Sequence, residues 1–222
     1  MYHDGMAARS QDPSFETSGR VNQKRRTRAA IVAAARAIVE RGDHPTVAQA
    51  AEEALVSRTT AYRYFPTQES LLLELSVTVS IDGVGELLAR PAGESTPEQR
   101  LVALVDVFTG SIAEHEALFR AAQRHYLDTW LAAERSGAGH EQPVREGRRR
   151  EWIAAVLEPV RERMPAAEWQ RLQAALCLVI GGEAFTVLRD VCHLEPDEAI
   201  AVAKWAAQAI LAVGAGDSLP PD

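Results

Sequence analysis

The stretch from Thr46 to Pro66, TVAQAAEEALVSRTTAYRYFP, decides the fold of the N-terminal part of the chain. Thr46 with Gln49 three residues on is a capping-box pattern, in which the hydroxyl and the Gln side chain satisfy free backbone amides reciprocally. A helix therefore starts near Val47. It ends near Ala54, because Ser57 is a fresh N-cap for a second short helix, Arg58 to Phe65, that stops at Pro66. Ala50, Ala51 and Ala54 are small, as closely crossing helices require, and Phe65 and Val56 are expected in the core. Upstream, from Lys24, the residues Ile31, Val32, Ala35, Ile38 and Val39 recur at spacings of three and four until Gly42 stops the run. One longer helix followed by two short ones joined by a tight turn reads as a helix-turn-helix.

Such a unit reads nucleic acid with the N-terminal end of its last helix. Arg58, Thr59 and Thr60 occupy that end. An arginine there can fork onto guanine O6 and N7, worth about 1–3 kcal/mol of discrimination, and a threonine methyl can touch a thymine methyl. Tyr62 and Tyr64 carry hydroxyls on stems long enough to reach phosphate, and Arg63 suits either phosphate or the surface. Lys24, Arg25, Arg26 and Arg28, expected in the first turn of their helix, oppose its macrodipole at a cost of a few tenths of a kcal/mol. A phosphate partner makes sense of them. The charge distribution agrees: of 222 residues with net charge −7, those up to Pro66 hold ten Lys and Arg against seven Asp and Glu, whereas the rest hold fourteen against twenty-four. A basic head on an acidic body suits an anionic partner for the head alone.

Everything downstream reads as helix. Thr67 caps a helix with Glu69 in its first turn, and Thr96-Pro97-Glu98-Gln99 combines an N-cap, Pro at the first helical position and a capping-box Gln. Further periodic segments cover about Glu116 to Arg135, Arg148 to Arg163, Ala166 to Cys192 and Pro196 to Val213, with Gly- and Pro-containing connectors such as Ser136 to Pro143. The expected fold is all-α. Residues 1–19 form a flexible tail, 20–66 a three-helix helix-turn-helix domain, 67–215 a helical effector-binding and dimerisation domain, and 216–222 a second tail.

The motif Val56-Ser57, Thr60, Tyr62-Arg63-Tyr64-Phe65 and Glu69-x-Leu71-Leu72 resembles the DNA-binding segment of the tetracycline-repressor (TetR) family. The specific similarity covers about Arg25 to Leu73. Beyond it, length and helical texture agree, and Gly181 to Trp205 looks like the family's last two helices. The resemblance implies a homodimeric, ligand-responsive repressor that binds a palindromic double-stranded DNA operator, with Thr60, Tyr62 and Tyr64 on the backbone. The expected DNA-binding set is Arg25, Arg26, Arg28, Thr46, Ser57, Arg58, Thr59, Thr60, Tyr62 and Tyr64. Three positions depart from the family pattern. Leu55 stands at a turn position that usually holds Gly, so a differently built turn is expected, since a side chain in a left-handed turn costs about 1 kcal/mol or more. Thr59 replaces another common Gly. Gln68 replaces a Lys that often grips phosphate.

A body that senses a small molecule needs a cavity lined by apolar side chains and a few polar groups. Phe108, His115, Phe119, Tyr126, Trp130 and Trp152 are the expected ligand-binding residues, for an apolar or aromatic effector; His125 and Trp169 belong to the same aromatic and polar group. The run Arg148-Arg149-Arg150 reads first as a solvated helix face and second as an anion site. The dimer is expected through the last two long helices, whose stripe holds Leu172, Leu176, Val179, Ile180, Val187, Ile200, Trp205, Ile210 and Leu211, with Gly181-Gly182 letting a second backbone approach. No metal, cofactor or catalytic residue is expected: His115 and His125 are ten residues, about 15 Å of helix axis, apart, Cys177 and Cys192 are about 22 Å of helix axis apart, and no nucleophile-elbow, phosphate-loop or zinc-protease motif is present. No apolar run approaches the roughly 18 residues of a membrane span, and no signal segment is seen, so a cytoplasmic protein is expected. An all-helical carrier or enzyme with an unused helix-turn-helix is the alternative function.

Overall fold

The structure, a computed structural model, describes residues 13–137 and 147–216. Among these it contains eleven α-helices, one 3-10 turn and no strand. The chain divides into two compact units, residues 1–71 and 72–222.

The head consists of α1 (Pro13–Glu40), α2 (Val47–Glu53), α3 (Arg58–Tyr64) and the first residues of α4 (Gln68–Ala89). Its core is small and built from one face of each element: Ile31, Val32, Ala34, Ala35 and Ile38 of α1, Val47, Ala50 and Ala51 of α2, then Ala61, Phe65 and Leu71. Thr46 caps α2 through the reciprocal box with Gln49, Ser57 caps α3, and Thr67 accepts from the Ser70 amide at the start of α4. The first helix begins at Pro13, upstream of the apolar stripe, and Lys24 to Arg28 lie in mid-helix. The macrodipole argument for those four residues therefore falls away, because the effect is confined to the terminal turn. Helix also occupies residues 13–19 of the expected tail; residues 1–12 are outside the described residues, as are residues 138–146, most of the expected Ser136 to Pro143 connector, and residues 217–222.

Leu55 adopts the left-handed conformation, φ 55°. Its N–H bonds Glu52 O and the Val56 N–H bonds Ala51 O, the two hydrogen bonds of a Schellman turn. The expectation of a differently built turn is thus corrected: the usual turn is kept, with Leu where Gly is usual. Being 95% exposed, Leu55 meets no packing conflict that would forbid it. Val56, expected in the core, is only half-buried where the chain leaves this turn.

In the second unit, α5 (Pro97–Glu114) lies at the centre and packs against α11 (Pro196–Ala215), α7 (Arg148–Val156) and α10 (Gly182–Asp190). α6 (Glu116–Ser136), α8 (Glu158–Arg161), α9 (Ala166–Val179) and the greater part of α4, from Leu72, complete it. Leu101, Leu104, Val105, Phe108 and Ile112 of α5 face Ile153, Val156, Leu172, Leu176, Phe185, Ala203 and Ala207 in one core. Two long expected helices are each broken. The Arg148 to Arg163 segment divides at Leu157, two residues before Pro159, which cannot donate to the helical ladder. The Ala166 to Cys192 segment bends by 45° at Ile180-Gly181, where Gly181 has φ 127°. Both glycines there serve the chain's own side chains: a Cβ on Gly181 would fall 2.5 Å from the Arg149 guanidinium carbon, and one on Gly182 2.8 Å from Gln123 Nε2.

The apolar stripe of the last helices is largely absorbed by this core, since Leu172, Leu176, Ile180 and Leu211 are buried. Leu178, Val187, Val191, Val202 and Trp205 remain exposed. α11 is long and apolar enough by composition to cross a membrane, which amends the expectation that no segment approaches that length. Its buried side, Ala199, Ala203, Ala207 and Leu211, packs within the unit, and Lys204 pairs with Asp106 at 2.8 Å.

Candidate functional site

In the head, α3 offers its N-terminal turn to solvent. Arg58 and Thr59 are exposed, and Tyr62 is 47% exposed. The turn is held rigidly: Ser57 Oγ accepts from the Thr60 amide at 3.2 Å and donates to Thr60 Oγ1 at 2.9 Å. Ser57 is thereby engaged in the cap, as is Thr46, whose hydroxyl donates to Gln49 Oε1 at 2.8 Å and accepts from the Gln49 amide at 3.2 Å. Both residues hold the helix starts that carry their neighbours. Tyr64 is half-buried beneath the Arg63 guanidinium, 5.7 Å from its ring centroid.

On α1, Arg25, Arg26 and Arg28 are exposed, and Arg28 also lies 5.6 Å over the Phe65 ring, covering the head's core as well as carrying charge. Arg41 forms a two-pronged pair with Glu53, at 2.9 and 2.8 Å, tying the turn after α1 to the end of α2. Hydrogen bonds from Arg41 hold the Glu53 carboxyl below its usual range and raise the guanidinium in return.

Two short helices, crossing through alanines and joined by a Schellman turn, with a capped second helix that exposes Arg-Thr at its start, define a helix-turn-helix DNA-binding protein. Residues 30–75 match the family model of bacterial regulatory proteins, tetR family, so the head is similar to the DNA-binding segment of those regulators. Comparison with curated proteins returns no match.

The second unit holds a cavity of about 340 Å3. Of the expected ligand-binding residues, Phe108, Phe119, Tyr126 and Trp152 line it, with Phe108 and Trp152 meeting edge to face at 5.2 Å. His115 does not; it sits at the α5–α6 junction with Nδ1 3.2 Å from Ser111 O. Trp130 is nearly half exposed on α6, and Trp169 is in the core.

Of the polar wall, sequence reasoning named only the arginine run, as the second of two readings, and missed the rest. Ser76, Ser80, Gln123, Cys177, Gly182 and Glu183 line the cavity, and so do Arg148, Arg149 and Arg150; Arg150 stays exposed, as a solvated face would be, whereas Arg148 and Arg149 are half-buried. Arg149 donates to Cys177 O at 3.0 Å and to Glu183 Oε2 at 2.8 Å. Arg150 donates to Gln173 Oε1, and the buried Gln173 amide returns a bond to Arg150 O at 2.8 Å. Burial pushes the Cys177 thiol up despite the nearby Arg149 and Arg150 charges. Besides the arginine run, the signal that could have found this wall is the Gly181-Gly182 pair, which makes room for Arg149 and Gln123.

Proposed function

We propose that the protein is a homodimeric repressor that binds a palindromic operator through paired α3 helices and leaves it when a small molecule fills the cavity of the second unit. The observation that carries this reading is the coexistence of a rigidly capped, solvent-facing Arg58-Thr59 turn with an aromatic-lined cavity in one chain. Arg58 reads a base edge, and Arg25, Arg26, Thr60, Tyr62 and Tyr64 engage phosphates. The exposed Val187, Val191, Val202 and Trp205 of α10, its C-terminal end and α11 supply the dimer face, where unsupported apolar surface of this kind favours a second copy. α4 carries the signal: Ser76, Val77 and Ser80 line the cavity, and the same helix begins in the head.

For release, a hundredfold loss of operator affinity needs about 2.7 kcal/mol of ligand preference for the DNA-incompetent form. The test is binding to duplexes selected from a random pool, followed over a salt series. Log affinity should fall with log salt by about 0.9 per neutralised phosphate, and Arg26→Ala or Tyr64→Phe should weaken all sequences alike, Arg26→Ala also flattening the slope. Absence of any enriched sequence, with no saturable binding at low salt, would favour a helical carrier with an unused head. A monomeric mass at micromolar concentration would sink the dimer.

A further inference from the structure

Resting on the reading of the cavity as the effector site, we infer that its ligand is an amphipathic organic anion, with an aromatic or apolar body and one acidic group, rather than a purely apolar molecule. Among the described lining residues, Arg148, Arg149 and Arg150 face a single carboxylate, Glu183. The aromatic side, Phe108, Phe119 and Trp152, suits a flat apolar body, and the volume lies at the small end of the range for small-molecule pockets.

The cationic side is built. Arg149 lies in a niche that only glycine at position 181 leaves open, fixed by Cys177 O and Glu183 and set 6.0 Å over the Phe108 ring. Its planar fork is therefore held between the polar wall and the aromatic body, the geometry that receives a carboxylate or sulfonate in two-pronged fashion. Two helices also begin on this wall, α7 after Gly147 and α10 after Gly181, and neither has a side-chain cap, so their positive ends add to the same field. Glu183 occupies the acceptor position that the ligand's acid would take, and entry of the anion exchanges one carboxylate for another on Arg149. The exchange frees Glu183, which stands on the first turn of α10.

The experiment titrates the full chain with 8-anilinonaphthalene-1-sulfonate and with uncharged N-phenyl-1-naphthylamine, which share an aromatic body, following probe fluorescence. Arg149→Gln should weaken the sulfonate at least tenfold and the neutral probe less than threefold. Glu183→Gln, which removes the competing charge, should tighten the sulfonate several-fold and leave the neutral probe nearly unchanged, a gain that a poorly folded variant would not give. Val77→Trp, which fills the cavity, should remove both. Equal responses of the two probes to both charge substitutions, sulfonate binding that survives Val77→Trp, or no saturable sulfonate binding would each overturn the anion site. Operator affinity, measured in the same samples, separates this from the reading beneath it. Sulfonate binding with the expected charge dependence but no effect on the operator keeps the anion site and sinks the effector role. A neutral probe that alone binds and releases the operator does the reverse.

Discussion

The head and the cavity wall hold their polar groups by different means. In the head, the hydroxyls of Thr46, Ser57 and Thr67 are satisfied three residues away, and the groups meant for a partner, Arg58 and Thr59, stand in solvent. Around the cavity the partners are distant in sequence: Arg149 with Glu183, Arg150 with Gln173, and Gln123 with Thr186 at 3.1 Å. Local caps make a rigid presenting surface from few residues, and they leave that surface dependent on a small core. Long-range pairs make a site whose charges can be exchanged, because each is anchored to a separate helix.

The largest effect should come from the head's core. Phe65→Ala removes a side chain that is 1% exposed and should cost about 3–5 kcal/mol, enough to unfold the head and abolish operator binding. All four tryptophans, Trp130, Trp152, Trp169 and Trp205, lie beyond residue 71, so tryptophan fluorescence follows the second unit alone. Its melting transition should survive while helical circular dichroism drops. A joint loss of both signals would break the distinction between the two regions.

Next in size, Arg58→Ala should relax base preference at one position of each half-site by about 1–3 kcal/mol, read from a panel of operators changed one base at a time. A uniform loss over the panel would reassign Arg58 to phosphate. Leu55→Gly should act in the opposite direction, stabilising the head by about 1 kcal/mol, because it relieves a left-handed side chain that packs against nothing. Head unfolding by urea gives the measurement, and a destabilised variant would mean that Leu55 restricts the unfolded chain more than it strains the folded one.

The smallest effect concerns a long-range pair of the second unit. Arg120 donates to both Asp190 carboxylate oxygens, at 2.8 and 2.6 Å, and holds that carboxyl below its usual range. A lowered folded pKa gives stability above the unfolded value, about 3.9 for Asp, that is lost as pH falls through the folded one. Asp190→Asn should therefore lower the melting temperature at pH 7, and the deficit should shrink as pH falls through the carboxylate range. A deficit that does not change with falling pH would show that the pair acts through shape rather than charge.

How much of this was legible in the chain follows from the same contrast. The caps at Thr46, Ser57, Thr67 and Thr96, and the start of α3, depend on residues three apart, so sequence alone determined them. The start of α1 was not legible, since residues 13–23 carry no apolar period that would mark them as helix. Nor were the breaks at Leu157 and Gly181 in segments read as continuous, although Pro159 and Gly181 were the cause and stood in view. Four aromatic cavity residues could be named because a sensing site needs apolar lining, whereas His115 and Trp130 share that chemistry and face elsewhere. By itself the sequence determined a helix-turn-helix head with an Arg-Thr reading edge, because its signals are local hydrogen bonds and helical periodicity. Only the tertiary structure decided that Arg148, Arg149 and Arg150 line a cavity and that the glycine pair makes room for Arg149 and Gln123, because the Arg149 guanidinium finds Cys177 O through the packing of α7 against α9 and reaches Glu183 on the first turn of α10, contacts that no spacing along the chain encodes.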